Sequence, residues 1–193
     1  MVFIGHWEPH TERYISALRK AGLSVRVWGY NWRKAKDPLL RYVTPLPHED
    51  YVRAISTAKI ALCFLSRWNR NESTGRSFAI PAIGTFLLAE RTAEHEFFYR
   101  DGQDAALFSD EKELVEKAGL YLEDGELRKS IAKNGLARRQ AMGMSESDNI
   151  GREWRLAERI LSSGVTAFTQ KDDFPFWTGF RVGSPWENTG QSK

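Results

Sequence analysis

Short apolar runs alternate along the chain with stretches in which apolar residues recur every three or four positions. The first pattern is typical of buried β-strands and the second of amphipathic helices. Six strands are predicted in this way, at residues 2–5, 24–29, 41–43, 59–65, 85–89 and 105–108. Because parallel strands need crossover connections and helices provide them, the pattern predicts an α/β fold with a doubly wound, Rossmann-like, mostly parallel six-stranded sheet flanked by helices.

Helices are predicted between these strands and after the last of them. The first places Tyr14, Leu18 and Ala21 on one face and ends at Gly22. The others are predicted at 48–58, 73–84, 94–99, from Asp110 onward, at 126–142 and at 145–161. The length of 193 residues suits one domain, which we expect at 1–164, with an aromatic C-terminal extension at 165–193.

The extension is unusually apolar for a chain end, since four aromatic residues lie between Phe174 and Phe180. Aromatic side chains clustered so closely are costly to leave in water. We therefore expect them to dock on their own globule or on a second copy of the chain.

Composition and charge exclude several classes of protein. The net charge is only +3 and no long basic block occurs, so nucleic acid is not an expected partner. The single Cys63 lies in an apolar run, where a buried thiol is expected, and the four histidines lack metal-ligand spacing; no metal or other cofactor is predicted. No apolar stretch approaches the ~18 residues of a membrane span, and no secretory signal is found, so the prediction is a cytoplasmic protein.

The chain begins almost directly with a predicted strand. From this we expect that a preceding domain was removed or never existed.

The segment that follows the fourth predicted strand is the first candidate site. Ser73, Thr74 and Gly75 open a helix at the carboxyl edge of the predicted sheet, where the free N–H groups of the helix favour anions. Arg76 in its first turn could clamp a diphosphate through two hydrogen bonds. The alternative is that Arg76 forms a surface salt bridge with a neighbouring glutamate, and the two readings are about equally supported. The glutamates concerned are Glu72 and Glu90.

The loop after the first strand is the second candidate. Gly5, His6 and Trp7 lie where a glycine permits close approach of a phosphate. A glycine that ends a strand is more often a simple turn, and a lone histidine beside an aromatic residue is more often structural. No pair of carboxylates has a spacing that identifies an acid and a base, so no catalytic residue is assigned.

Tryptophans are the third kind of candidate, since an indole ring can stack on a base or a sugar. The three that lie near predicted loops are Trp28, Trp32 and Trp68. In a chain with seven tryptophans, most are expected to serve packing alone. Asp104, after a predicted turn, could also serve only as a cap.

Several motifs occur in an order that is known from one enzyme family. They are Phe3-Ile4-Gly5-x-Trp7 with Arg13, Gly29-x-x-Trp32, Thr74-x-Arg76-Ser77-Phe78-x-Ile80-Pro81-Ala82-x-Gly84 and Gly102-x-Asp104-Ala105-x-x-Phe108. Over residues 2–162 the chain resembles the donor-binding, C-terminal domain of CgeB-like glycosyltransferases, which belong to the group 1 enzymes of GT-B fold.

The resemblance implies one half of a GT-B fold that binds a nucleotide-diphosphate sugar, of UDP or GDP type, at the carboxyl edge of its sheet. It implies that the Gly5 loop and residues 73–76 hold the diphosphate. The ribose-binding glutamate of the family falls at Ala79 here, and a second acidic position falls at Asn71. The substrate-binding residues expected on this basis are Gly5, His6, Trp7, Arg13, Trp32, Ser73, Thr74, Gly75, Arg76, Ala79 and Asp104.

Three hypotheses about function follow. The first is a retaining-type glycosyltransferase half-molecule whose acceptor site lies in an N-terminal domain or in a homodimer partner. The second is a degenerate, non-catalytic nucleotide-binding or interaction module, which Ala79 and Asn71 favour. The third is a free-standing nucleotide- or phosphosugar-binding protein of another doubly wound family, which would bind phosphate without transferring a sugar, since fold alone does not determine function.

Overall fold

The computed structural model describes residues 1–143, and five of their segments form one parallel β-sheet. The strands are β1 (Val2–Ile4), β2 (Arg26–Trp28), β3 (Ala61–Cys63), β4 (Leu87–Glu90) and β5 (Ala106–Phe108). Their order in the sheet is β2-β1-β3-β4-β5, and each neighbouring pair is parallel. This arrangement confirms the predicted doubly wound, Rossmann-like α/β fold.

Helices connect the strands, as parallel pairing requires. They are α1 (Pro9–Lys20), α2 (Tyr51–Ser56), α3 (Gly75–Ala82), α4 (Ala93–Phe98), α5 (Glu111–Glu123) and α6 (Gly125–Ala141), with short 3-10 helices at Trp32–Lys34, Pro38–Tyr42 and His48–Asp50. Side chains of Thr74, Thr92, Asp110 and Asp124 accept N–H hydrogen bonds at the starts of four of these helices. Local capping chemistry therefore explains where α3 to α6 begin.

The core lies on both faces of the sheet because successive strand residues point to opposite sides. Phe3, Leu62 and Leu88 pack with α1 and α5 on one face. On the other face, Ala61 and Leu87 belong to a second cluster to which α2 and α3 contribute. The described residues thus form three layers, with the sheet in the middle.

One predicted strand is wrong, so the described part of the sheet has five strands instead of six. Residues 41–43 belong instead to the end of the 3-10 helix Pro38–Tyr42 and the residue after it. Asp37 caps this helix by accepting the N–H of Leu39 at 2.9 Å, and Pro38 supplies the φ angle of a first helical turn. Tyr42 is 84% exposed, so the three-residue alternation did not reflect burial.

The helix predicted at 145–161 and the aromatic extension at 165–193 lie outside the described residues. Within residues 1–143, no helix combines the length and the apolar composition needed to span a bilayer.

The strand order reverses between β1 and β3. From β1 the chain runs outward to β2 and then returns to β3 on the other side of β1. In open α/β sheets, ligands bind in the crevice at the carboxyl ends of the two strands at such a switch point. The fold therefore predicts a ligand site at the loops that follow Ile4 and Cys63.

Candidate anion-binding site at the switch point

Helix α3 begins directly beside the switch point. Thr74 is its N-cap: its hydroxyl accepts the N–H of Arg76 at 3.2 Å, while the Ser77 hydroxyl accepts the N–H of Thr74 at 3.0 Å. This reciprocal pair is a capping box, and it satisfies two donors at the helix start. Within residues 1–143, the N–H of Gly75 has no hydrogen-bond acceptor, and a Cβ at this position would meet no atom within 4 Å.

The Arg76 guanidinium lies across the switch point itself. Nη1 donates to the carbonyl of Ile4 at the end of β1, and Nη2 donates at 2.8 Å to that of Phe64, immediately after β3. The guanidinium also lies over the Phe3 ring, 5.3 Å from its centroid. No carboxylate within residues 1–143 forms an ion pair with Arg76, so this part of the chain supplies no counter-charge for it.

The salt bridge considered as the alternative for Arg76 does not form. Glu90 accepts instead from Arg67, with Nη2 and Oε2 2.5 Å apart, and from the Leu65 N–H at 2.7 Å. Glu72 accepts from the N–H of Glu94 at 3.2 Å. Both carboxylates therefore bond to other groups near the site, and Arg76 has no carboxylate partner within residues 1–143.

The Gly5 loop covers the Arg76 guanidinium. A Cβ on Gly5 would lie 2.2 Å from Arg76 Nη1 and 2.6 Å from the Phe3 ring, so a larger residue would displace one of them. The Gly5 N–H donates to Trp28 O at 2.9 Å, and its carbonyl accepts from Trp32 Nε1 at 3.0 Å. Glycine is thus required here for close packing between backbone and cation.

The aromatic candidates divide into core and surface groups. Trp32 is 1% exposed, so it supports Gly5 from the core and offers no free ring face. Trp7 donates through Nε1 to Glu12 at 2.8 Å. His6 is exposed and its ring lies 5.4 Å from that of Tyr30, so it is the member of this loop that remains open to solvent.

The predicted residues of the β3–α3 segment converge on the same edge. The hydroxyl of Ser73 donates to Glu94, which links the loop to α4. Ala79 lies one turn into α3 and is partly exposed, and no carboxylate replaces it at this position. Ser73, Arg76 and Ala79 thus lie in the segment that follows β3, and Gly5 lies in the neighbouring loop that follows β1.

Two predicted residues are not brought into this group. Asp104 precedes β5 and therefore lies at the amino edge of the sheet, where its carboxylate accepts two guanidinium hydrogen bonds from Arg100, at 2.8 and 2.9 Å. Arg13 is exposed on α1 and pairs with Glu111. Both have protein partners that account for their charge.

Several residues that support the site were not predicted as candidates. Glu8 is buried and accepts the Arg67 N–H at 3.0 Å, and Glu90 is buried at the end of β4. Glu90 directly ends an apolar run, and this position could have identified it as a buried, hydrogen-bonded carboxylate. His95 is fully buried against Ser77, and nothing in the local sequence pattern indicates this. Residues 1–143 contain no group of His, Cys, Asp and Glu side chains that could hold a metal ion.

Comparison with known proteins agrees with this architecture. The sequence profile of a glycosyl transferase-like family matches residues 10–143, whereas no curated protein sequence matches the chain. The C-terminal domain of LpcC, a group 1 family glycosyl transferase from Francisella tularensis, has a TM-score of 0.53 at 12% identity, over 72% of this chain and 84% of that one. HepE from Anabaena, in complex with UDP-glucose, has a TM-score of 0.60 at 14% identity, over 83% of this chain.

The alignment with HepE covers 48% of the HepE chain, so the protein spans about half the length of that structure. Identities this low establish a common fold and no more. The family profile covers well over half of the sequence, including every strand from β2 to β5 and the whole of α3. The chain therefore belongs to the glycosyl transferase-like family.

Proposed function

We propose that the described domain binds a nucleotide-diphosphate sugar at the switch point and serves as the donor-binding domain of a GT-B glycosyltransferase of the CgeB-like subtype. One observation carries the proposal: Arg76 presents a guanidinium between the ends of β1 and β3 that has no carboxylate partner within residues 1–143. A cation held in this way, beside a glycine loop and a helix start, suits a bidentate contact with a diphosphate.

The chemistry of glycosyl transfer needs such a site on the donor side. When the sugar leaves, negative charge develops on the nucleoside diphosphate, and fixed positive groups lower the energy of that transition state. Arg76 supplies a full charge, and the N–H of Gly75 and the dipole of α3 supply partial ones. None of these groups transfers a proton, so their role is to bind and stabilise the leaving group.

The comparison proteins support a uridine nucleotide as the first ligand to test. Structures of HepE contain UDP-glucose, UDP with glucose, and UDP alone. Because this chain aligns with about half of HepE, the acceptor site is expected on a second domain, on a separate chain or on a homodimer partner.

The second candidate function is a non-catalytic nucleotide-binding or interaction module. It is favoured by Ala79, because a methyl group cannot accept the hydrogen bonds of ribose hydroxyls. The two functions share the diphosphate contact and differ in sugar transfer. They are therefore separated by activity and not by affinity for UDP alone.

Titration calorimetry with UDP and UDP-glucose tests the proposal. Arg76→Met keeps an apolar stem over Phe3 and removes the charge, so we expect affinity for UDP to fall by about 1–3 kcal/mol. Arg26→Met is the matched control, because Arg26 also lies over an aromatic ring, that of Trp28, but at the amino end of β2.

Equal affinities of the two variants for UDP would refute the Arg76 site, as would the absence of any heat with folded wild-type protein. If UDP-glucose binds and is neither hydrolysed nor transferred when candidate acceptors and the cognate second domain are supplied, the non-catalytic module is the correct function.

A further inference from the structure

His95 is a fully buried side chain that has no direct contact with the proposed diphosphate site. It lies in α4 with 0% exposure, Nδ1 2.6 Å from the carbonyl oxygen of Glu90 and Nε2 2.7 Å from Ser77 Oγ. A carbonyl oxygen only accepts, so Nδ1 must carry a proton. Both ring nitrogens are thereby occupied, one by the end of β4 and the other by the first turn of α3.

Ser77 connects this ring to the start of α3. Its hydroxyl oxygen accepts the N–H of Thr74 at 3.0 Å, and its carbonyl accepts from the Tyr99 hydroxyl at 2.8 Å. Thr74 in turn accepts the N–H of Arg76 at 3.2 Å. A continuous series of hydrogen bonds thus leads from His95 through Ser77 and Thr74 to the backbone of Arg76.

The series persists in either charge state of the ring. In the neutral ring, Nε2 accepts the Ser77 proton, and both lone pairs of Ser77 Oγ remain for Thr74 N–H and the Cys63 thiol, 3.6 Å away. In the charged ring, Nε2 donates and the Ser77 proton turns to Cys63. Burial disfavours charge on both groups, but their mutual attraction raises the pKa of His95 and lowers the pKa of the Cys63 thiol; Arg76 and Glu90 are the other charged residues that influence the pair.

We propose that His95 is a positioning residue: it orients the Ser77 hydroxyl, and through the capping box it holds the turn that presents Arg76 at the switch point. The inference rests on the proposed function in one respect, since its effect on ligand affinity presupposes a nucleotide diphosphate at Arg76. The hydrogen bond itself can be measured without any ligand.

Two substitutions of His95 separate positioning from simple packing. A glutamine side chain places its amide near the position of Nε2 and can still bond to Ser77, whereas an asparagine side chain reproduces only the Nδ1 donor to Glu90. We expect His95→Asn to weaken UDP binding about three- to tenfold, the scale of one lost hydrogen bond, and His95→Gln to stay within about twofold of wild type. Both substitutions remove the same buried ring, so a role in packing alone predicts that the two variants lose UDP affinity equally.

Ser77→Ala removes the next member of the series and should weaken UDP binding to the same extent as His95→Asn. The double variant should bind no more weakly than either single one, because the two substitutions break one pathway. Thr85→Val is the matched control: its buried hydroxyl donates to Ile55 O at 3.0 Å near the amino edge, so its loss should lower stability and leave UDP affinity unchanged.

Amide hydrogen exchange of Thr74 in the ligand-free protein provides the second measurement. We expect exchange to be accelerated in His95→Asn and Ser77→Ala, and to remain slow in His95→Gln. Unchanged Thr74 exchange in His95→Asn, or equal losses of UDP affinity in the two His95 variants, would overturn the assignment. If wild-type protein binds no UDP, the proposed function fails by itself, and the exchange rates alone decide the role of His95.

Discussion

On the described domain, a cluster of basic side chains at β5 and the single Arg76 at the switch point differ in how their charge is compensated. At the edge strand β5, Lys117 bonds to Asp101 and Glu113 at 2.9 and 2.8 Å, and Arg91 bonds to Asp101 as well. At the switch point, the hydrogen bonds of the Arg76 guanidinium within residues 1–143 go only to backbone carbonyls. The charges of the β5 cluster are compensated by carboxylates, whereas the charge of Arg76 is not compensated by any carboxylate within residues 1–143.

The β5 cluster, which consists of Arg91, Asp101, Glu113 and Lys117, has a structural role. β5 is an edge strand, and its Leu107 would otherwise expose an unpaired N–H and C=O. Asp101 accepts that N–H at 2.9 Å, while Lys117 and Arg91 donate to the carbonyl. Hydrogen bonds to Glu96 and Asp101 raise the pKa of Arg91, so its guanidinium keeps its charge.

The difference teaches how to read a buried or half-buried cation. At β5, carboxylates compensate the charge and the cations stabilise the fold; at the switch point, two carbonyls hold Arg76 and no carboxylate within residues 1–143 compensates its charge. The predictions that follow test the surroundings of the switch point and the β5 cluster separately.

The largest effect is expected at Gly29, whose backbone lies close to the Gly5 loop. Gly29 has a φ of +150°, and a Cβ there would lie 1.8 Å from the Gly5 carbonyl oxygen, a backbone atom that cannot turn away. We expect Gly29→Ala to lower the free energy of unfolding by about 3 kcal/mol or more, measured by urea denaturation. Gly75→Ala is the control and should leave stability equal or slightly higher, because the added Cβ meets open space. An unaltered denaturation midpoint in Gly29→Ala would contradict the close approach of the two loops.

The next largest loss of stability is expected in the β5 cluster. Asp101→Asn removes one of the two carboxylates that Lys117 and Arg91 share and leaves only Glu113, and we expect a loss of about 2 kcal/mol in unfolding free energy, less than for a fully buried pair. UDP affinity should not change. Glu126→Gln is the control, since its pair with Lys129 is exposed and should contribute less than about 0.5 kcal/mol. Equal stabilities of the two variants would show that the β5 cluster has no special structural role.

Acidification should weaken the same cluster. Burial alone would raise the pKa values of Asp101 and Glu113, but hydrogen bonds from Lys117 and from backbone N–H groups hold both below their usual 3.8 and 4.5. Because the folded-state values are depressed, the contribution is complete above the usual values and is lost as pH falls through the folded ones. We expect unfolding free energy to drop by about 1 kcal/mol over that range, and by less in Asp101→Asn. If the unfolding free energy of Asp101→Asn depends on pH in the same way as that of wild type, Asp101 does not contribute to the acid dependence.

The smallest effect is expected from restoring a carboxylate at the switch-point helix. Ala79→Glu should tighten binding of UDP by about 1 kcal/mol or less, through hydrogen bonds to the ribose, and should not affect a nucleotide whose 2′ and 3′ hydroxyls are blocked. Ala82→Glu, at an exposed position in the last turn of the same helix, controls for added charge. A gain in affinity that is equal for both nucleotides would place residue 79 away from the ribose.

Much of the fold could be predicted because its causes are local. Thr74 and Asp110 have side chains that cap helices, Gly84 adopts a φ of +81° just after α3, and apolar periodicity identified each strand that the structure contains in residues 1–143. The failure at 41–43 has the same origin, since three residues are too few for periodicity to outweigh the turn chemistry of Asp37 and Pro38.

The candidate site could be predicted only in outline. A parallel sheet necessarily brings the loops after β1 and β3 to one edge, which is why Gly5 and Arg76 were expected together. Their partners could not be predicted, because Ile4, Phe64 and Arg76 meet only after the sheet has formed.

The order of strands and helices, the helix starts and the edge at which the loops meet were encoded in the chain as local periodicity, capping and glycine positions. Which charges are compensated was decided in three dimensions. Glu90 is closer to Arg76 in sequence than to Arg67, yet it pairs with Arg67, and Arg76 has no carboxylate partner within residues 1–143. Charge compensation depends on distances of a few ångströms between segments far apart along the chain, and those distances are set by the packing of the sheet against its helices.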